Sequence, residues 1–235
     1  MEIEDIPLIE TKDLMKVFFR KGAPSIKALD GVNLKIFGGE SLAIVGRSGS
    51  GKTTLLNLLG GLDRPTSGRV IFEGRNIDDL SDRDLAVQRR KKVGFIFQTF
   101  NLLPALTALE NIEVAFIHSQ MTTRKITEKA STLLDSFKLS DKSSQLPLEL
   151  SVGQQQKVAI ARALANNPVL ILADEPTGEM DPITGREIMA KLFELNERLK
   201  VTIIIASHRT LPHDQVDRTL FIKNGKIVSQ KEAGY

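Results

Sequence analysis

The stretch GRSGSGKT, Gly46 to Thr53, has the residue types and spacing of a loop that holds a polyphosphate. Its glycines Gly46, Gly49 and Gly51, with Arg47, Ser48 and Ser50 between them, let successive backbone N–H groups turn inward around an anion. The helix that follows points its positive end at the same spot. Lys52 is placed to contact the β- and γ-phosphates, and Thr53 to ligate Mg²⁺ through its hydroxyl, with Thr54 next in the same turn. A Gly-rich turn could match this pattern by accident. The apolar run SLAIV before it and TTLLNLLGGL after it supply the strand and helix that the phosphate reading requires.

Three further apolar runs end in polar residues. VLILADEP, Val169 to Pro176, carries two carboxylates at the end of a buried strand, a costly placement unless a cation meets them. Asp174 is then the carboxylate on the Mg²⁺ side, and Glu175 the base that orients a water opposite the γ-phosphate. The bland alternative is a helix cap or a salt-bridging pair. TIIIASH ends in His208; a lone His there is commonly structural, but a parallel strand would bring it to the edge where open α/β sheets bind ligands, within reach of the γ-phosphate. Gln98 closes VGFIFQ in the same manner, with an amide suited to a metal or water contact; taken without the other motifs it reads as a polar residue that merely ends the strand.

LSVGQQQKVAIARAL, Leu150 to Leu164, reads as a helix with an odd start. Ser151 can cap it, yet Gly153 falls in the first turn, where Gly costs about 1 kcal/mol relative to Ala in a helix interior. An unshielded helix N-terminus is an anion site. The P-loop already surrounds its own nucleotide from one side, so the simplest use of this second site, with Ser151, Gly153 and Gln154, is on the nucleotide of a second copy placed head to tail. A glycine tolerated for packing is the alternative.

The elements that must position these residues follow from the apolar pattern. Short apolar runs alternate with longer amphipathic stretches, as in an α/β domain with a mostly parallel sheet. SLAIVG, VGFIFQ, VLILAD and VTIIIAS are its strands. LIETKDLMKVFF, GVNLKIFGG and RVIFEG alternate apolar with polar residues, which predicts an antiparallel β-subdomain with one solvated face. Asn224-Gly225 within TLFIKNGKIVSQ predicts a hairpin. Between Gln98 and Leu150 the strand pattern stops, and TALENIEVAFIHS and TRKITEKASTLLDSFKL predict an inserted α-helical subdomain.

Composition bounds the possible functions. The chain has 235 residues, 41% of them hydrophobic, enough for one large domain with a subdomain. Thirty-two Lys and Arg against 29 Asp and Glu leave a net charge of +3 with both signs interspersed, so no basic stripe points to nucleic acid. The absence of cysteine removes disulfides, thiol catalysis and thiolate zinc sites. The acidic start MEIEDIPLIE lacks the features of a signal peptide, and the longest apolar runs fall far short of the roughly 20 residues that span a bilayer. Any membrane role is therefore expected to come through a partner, without direct insertion.

The ordered set GRSGSGKT, Gln98, LSVGQ, LILADE and His208 resembles the nucleotide-binding subunit of ATP-binding cassette (ABC) transporters, and the resemblance covers nearly the whole chain. It implies a P-loop NTPase core of the RecA-like type, a single nucleotide-binding domain over 1–235 with approximately 99–165 as the helical insert, and ATP with Mg²⁺ as ligands. It implies an ATPase in which Gln98 and Asp174 join Thr53 at the metal and Glu175, His208 and Gln98 serve hydrolysis. It also implies a homodimer sandwiching two ATP molecules, a separate integral membrane permease contacted by the Gln98 segment and the helical subdomain, and a cytoplasmic position at the inner face of the membrane. GGLDRPTSG, FQTFNLLPALTALENI and ARALANNPVLILADEPTGEMD are most similar to the lipoprotein-releasing and macrolide-exporting branch.

Several residues depart from the family's pattern. Val152 replaces a usual Gly, Glu179 and Met180 precede the retained Asp181 where smaller residues are usual, and Arg209 stands where Asp is common. The family stacks an aromatic residue near the N-terminus on adenine. Phe18 is the residue assigned here, with Phe19 the alternative, and one of the two is expected in the core. Two rival readings are a non-transport ABC ATPase acting on DNA or ribosomes, disfavoured by the lack of room for a coiled-coil insert or second cassette, and a regulatory module that binds ATP without hydrolysing it.

Overall fold

Along the chain, β1 (Ile9–Arg20) and β2 (Ala23–Ile36) form a long antiparallel pair, β3 (Ser41–Val45) leads into α1 (Lys52–Leu59), and β4 (Ser67–Phe72) and β5 (Arg75–Asn76) return to the first pair. Helix α2 (Asp82–Lys92) precedes β6 (Val93–Ile96), after which α3 (Ala108–Glu113), α4 (Thr123–Ser136) and α5 (Val152–Leu164) follow in succession. The remaining elements are β7 (Leu170–Asp174), α6 (Pro182–Leu199), β8 (Thr202–Ser207), β9 (Arg218–Lys223), β10 (Lys226–Val228) and α7 (Gln230–Ala233). The computed structural model describes residues 6–211 and 215–235.

The antiparallel sheet has the order β2-β1-β4-β5, and the larger sheet the order β10-β9-β3-β8-β7-β6. In the larger sheet β9, β3, β8, β7 and β6 run parallel, and β10 pairs antiparallel with β9. Strands covered on both faces need apolar residues at every position, which is why SLAIV is buried throughout and reads as an unbroken run. Side chains alternate between the faces. Leu170, Leu172 and Ile204 pack with α1 and the antiparallel sheet, while Ile171, Ala173, Ile203 and Ile205 pack with α5 and α6. The register places Val45 beside Ser207 and Asp174 beside Ala206, so β3, β7 and β8 end together. Gly46, Glu175 and His208 therefore leave the sheet at one edge.

The hairpin forms at Asn224-Gly225, whose φ values of 49° and 76° suit the two-residue turn favoured by strand twist. Its tip is wedged between two distant segments: the Gly225 N–H donates to the Ser50 carbonyl at 2.9 Å, and the Asp30 N–H donates to the Gly225 carbonyl at 2.9 Å. The helical insert is organised by Asn111, fully buried, whose amide holds the backbone of Leu103, Leu106 and Thr107 ahead of α3.

Some elements differ from the expectation. β6 stops at Ile96, so Gln98 sits in a turn rather than on a strand. The helix expected over 107–119 is α-helical for Ala108–Glu113 and tightens into a 3₁₀ turn at Val114–Phe116. β2 begins well before Gly31, and α2 and α6 lie outside the expected set. α2 buries little beyond Leu85, so it lacks an apolar stripe to announce it. Among the described residues, no helix is long and apolar enough to cross a membrane.

Candidate functional site

The phosphate loop is shaped by close backbone approaches. A Cβ at Gly46 would lie 2.5 Å from both the Ile222 carbonyl and the Ser50 Oγ, so the loop cannot take this path with a larger residue. Gly51, at φ 111°, is the N-cap of α1 and supplies no side-chain cap, and the first turn of α1 contains no acidic residue. The leading N–H groups of α1 thus have neither a capping oxygen nor a resident carboxylate. Lys52 is 5% exposed; its Nζ donates to the Gly46 carbonyl at 2.8 Å and approaches the Arg47 carbonyl at 3.4 Å. Arg47, Ser48, Gly49 and Thr53 are exposed around it, Thr54 is half-buried, and the buried Ser50 Oγ has no hydrogen-bond partner among the described residues.

On the neighbouring strand ends the acidic residues divide their environments. Burial pushes the Asp174 carboxyl above its ordinary pKa, the Thr53 hydroxyl bonded to it and the Lys52 charge oppose that shift, and the Glu175 charge adds to it. The Oδ1 of Asp174 is buried without a partner among the described residues. Glu175 has two partners. Its Oε1 lies 3.4 Å from Lys52 Nζ, and its Oε2 lies 2.8 Å from His208 Nδ1. Its backbone is in the left-handed region at φ 44°, held there by its N–H on the Ala206 carbonyl and its own carbonyl accepting from Gly178. A cleft of about 240 Å³ opens beside this pair, lined in part by Gly178, Met180, Ser207 and Arg209.

Gln98 is not held at the metal-side residues. Its Nε2 donates to Glu179 Oε1 at 3.2 Å. Two other contacts were invisible in the sequence. Gln156 of α5, fully buried, donates to the Pro176 carbonyl at 2.7 Å, tying α5 to the turn after Glu175. Arg162 of the same helix donates to the Phe100 and Asn101 carbonyls at 2.7 and 2.6 Å, pinning the turn after Gln98. Nothing in a run of three glutamines distinguishes Gln156 from its neighbours by type.

The start of α5 is not bare. The Ser151 hydroxyl accepts from the Gln154 N–H at 3.3 Å, and Gln154 Oε1 accepts from the Ser151 N–H at 2.9 Å, a reciprocal cap. Gly153 also has a packing reason: a Cβ there would lie 2.7 Å from Thr184 Cγ2 on α6. What the helix start still offers is the Ser151 O–H as a donor and the Val152 and Gly153 N–H groups, since a cap of this kind serves the N3 position. Neither Phe18 nor Phe19 is in the core, against expectation. Phe18 is 41% exposed with the Lys16 ammonium 5.1 Å from its ring centre, and Phe19 is 79% exposed.

The family described as "ABC transporter" matches residues 29–178. The chain is 44% identical over 227 residues to an uncharacterized ABC transporter ATP-binding protein of Thermotoga maritima, covering 97% of this chain and 96% of that one. It is 43% identical over 222 residues to the lipoprotein-releasing system ATP-binding protein LolD of Syntrophus aciditrophicus, covering 94% and 99%. It is 44% identical over 223 residues to the macrolide export ATP-binding/permease protein MacB of Hyphomonas neptunium, of which it spans 34%. Among solved structures, an ATP-binding cassette of Methanocaldococcus jannaschii, dimeric in a post-hydrolysis state bound to ADP and Pi, superposes with a TM-score of 0.87 at 42% identity, covering 94% of this chain and 97% of that one.

Proposed function

This chain belongs to the ABC transporter family of ATP-binding proteins, and from that premise we propose how its residues divide the work of hydrolysing ATP. It is an ATP-binding, ATP-hydrolysing transporter subunit on a P-loop α/β fold. The observation that carries the assignment of roles is the run of contacts Lys52–Glu175–His208, at 3.4 and 2.8 Å, where three parallel strands end. Glu175 is the group that orients the attacking water. As the water oxygen bonds to the γ-phosphorus and the bond to the bridging oxygen breaks, Glu175 accepts the proton, giving ADP and phosphate. His208 holds one carboxylate oxygen and thereby fixes the direction of the other. Lys52, released from the Gly46 carbonyl, neutralises β- and γ-phosphate charge.

The residues also fit a magnesium ion. Asp174, whose buried Oδ1 has no partner among the described residues, forms with the Thr53 hydroxyl a hard-oxygen set, and such ions take few protein ligands and complete their shell with phosphate and water. When bound, the ion offsets phosphate charge and holds it in line for displacement. In this reading Gln98 would turn its carbonyl oxygen to the bound ion and Phe18 would stack on adenine, with Phe19 as the alternative.

The dimeric neighbour supports a homodimer for this chain, and in our reading the Ser151 O–H, the Gly153 N–H and the Gln154 side-chain NH₂ of one copy donate to the γ-phosphate held by the P-loop of the other. The chain acts as one unit over 1–235, with approximately 99–165 as its helical insert. It works at the inner face of a membrane by powering a separate permease. The names of the relatives support the lipoprotein-releasing and macrolide-export branch.

The test is Glu175→Gln. Phosphate release should fall by about a hundredfold or more while ATP binding persists, and an ATP-dependent dimer should accumulate on size-exclusion chromatography. A variant that hydrolyses as the wild type does, or stays monomeric with saturating ATP, overturns this division of roles.

A further inference from the structure

Glu179 stands in the turn after β7, where the resemblance leads one to expect a smaller residue, and it meets Gln98 across 81 positions of sequence with Nε2 to Oε1 at 3.2 Å. The approach is prepared on both sides. A Cβ at Gly178 would lie 3.3 Å from Gln98 Nε2 and 3.5 Å from its Cγ, so the turn offers the amide a flat resting place. From the other side the Arg162 guanidinium holds the Phe100 and Asn101 carbonyls, so the backbone following Gln98 is anchored to α5. With the main chain fixed, what remains free in Gln98 is its side-chain torsions.

A primary amide presents two unlike ends, an NH₂ that donates and an oxygen that accepts or ligates a metal. A carboxylate accepts and cannot donate, so Glu179 binds the NH₂ end and turns the oxygen away from itself. We infer that Glu179 is a positioning residue that fixes which end of the Gln98 amide is offered to the metal and the attacking water. This rests on the reading that Gln98 serves that site through its oxygen. A neutral side chain at 179 would lack this selectivity, since another amide could pair with either end.

The test uses the full chain with the non-hydrolysable analogue AMP-PNP and Mn²⁺ as the probe, so that no turnover is needed. Free Mn²⁺ is followed by electron paramagnetic resonance for Glu179→Ala, Glu179→Gln, Gln98→Ala and the double variant Gln98→Ala with Glu179→Ala. Both Glu179 variants should weaken Mn²⁺ binding to the nucleotide complex by about three- to tenfold, the scale of one exposed charge-assisted hydrogen bond. Gln98→Ala should weaken it at least as much, and the double variant no further. AMP-PNP affinity in EDTA should match the wild type in every variant. Three results overturn the inference while leaving the Gln98 reading intact: wild-type Mn²⁺ affinity in the Glu179 variants alone, losses that add in the double variant, or a matching fall in metal-free affinity on changing Glu179. Wild-type Mn²⁺ affinity in Gln98→Ala overturns the reading of Gln98 and this inference with it.

Discussion

Asp174 shows how one residue's surroundings set its chemistry. Burial raises its pKa against the opposing Thr53 hydrogen bond and Lys52 charge. For a carboxyl raised above its unfolded value, the contribution of the neutral form to stability is complete below the unfolded pKa and is lost as pH rises through the folded one. Cation binding runs the other way, because the ion requires the ionised carboxylate. Mg·ATP affinity should therefore decline as pH is lowered into the raised range of Asp174, by up to about tenfold per pH unit. Asp174→Asn should bind Mg·ATP weakly, and its residual slope, from the nucleotide's own γ-phosphate, can be subtracted. Calorimetric titrations that give parallel slopes for the two proteins would remove Asp174 from the metal. Residues of this kind were legible because a charged side chain ending an apolar strand requires a partner. The Gln98–Glu179 contact was not legible, since no pattern in either segment says which way a side chain will turn across a fold. Counting along β1 also could not place Phe18 and Phe19, because alternation assigns them opposite faces without saying whether either is covered, and both are exposed.

At the level of elements, the start of α5 is set against the start of α6. Asp181 caps α6 by accepting from the Ile183 and Thr184 N–H groups at 2.9 and 3.0 Å, and the Thr184 hydroxyl with these N–H groups holds its carboxyl below the usual range. That cap stabilises α6 above the ordinary carboxylate pKa and is lost as pH falls through the depressed one. Thr184 also carries the methyl that would meet a Cβ at position 153, at 2.7 Å. Gly153→Ala gains about 1 kcal/mol of helix propensity and suffers an overpacking cost of about 1–3 kcal/mol. The net expectation is a loss of about 1 kcal/mol in urea unfolding, turned neutral or favourable when Thr184→Ser removes the methyl and keeps the hydroxyl. An equal loss in both backgrounds would show that the two helix starts do not press on each other. The glycine thus has a mechanical reason that the local sequence hides, because it lies on an element some 30 residues away. Asp181 at the N-cap with Pro182 at N1 is a start signal for α6 that the sequence reading did not use, and α2 has no apolar stripe to announce it.

For the molecule as a whole, the parallel sheet, the antiparallel subdomain and the helical insert were all legible in outline, because burial on two faces, burial on one face and a 3.6-residue period leave different apolar patterns. What the pattern could not express is how the last strands serve the first loop. Ile222 of β9 forms a wall against Gly46, and the turn at Gly225 is bonded to Ser50 and to Asp30. A Cβ at Gly225 would lie 2.7 Å from the Ala28 carbonyl and at a φ of 76°, so Gly225→Val should cost about 2–4 kcal/mol and weaken ATP binding by at least tenfold, although residue 225 is remote in sequence from the P-loop. Unchanged affinity in a fluorescent-nucleotide titration would show that the wedge is dispensable. On the ribosome this arrangement makes the order of synthesis matter. Residues 46–53 emerge first and the wall and wedge that shape them are translated long after, so a growing chain should stay unable to grip nucleotide until β9 and β10 have left the exit tunnel. Competence for ATP should then follow β9 and β10 out of the tunnel, which would hold chains that lack them outside the hydrolytic cycle.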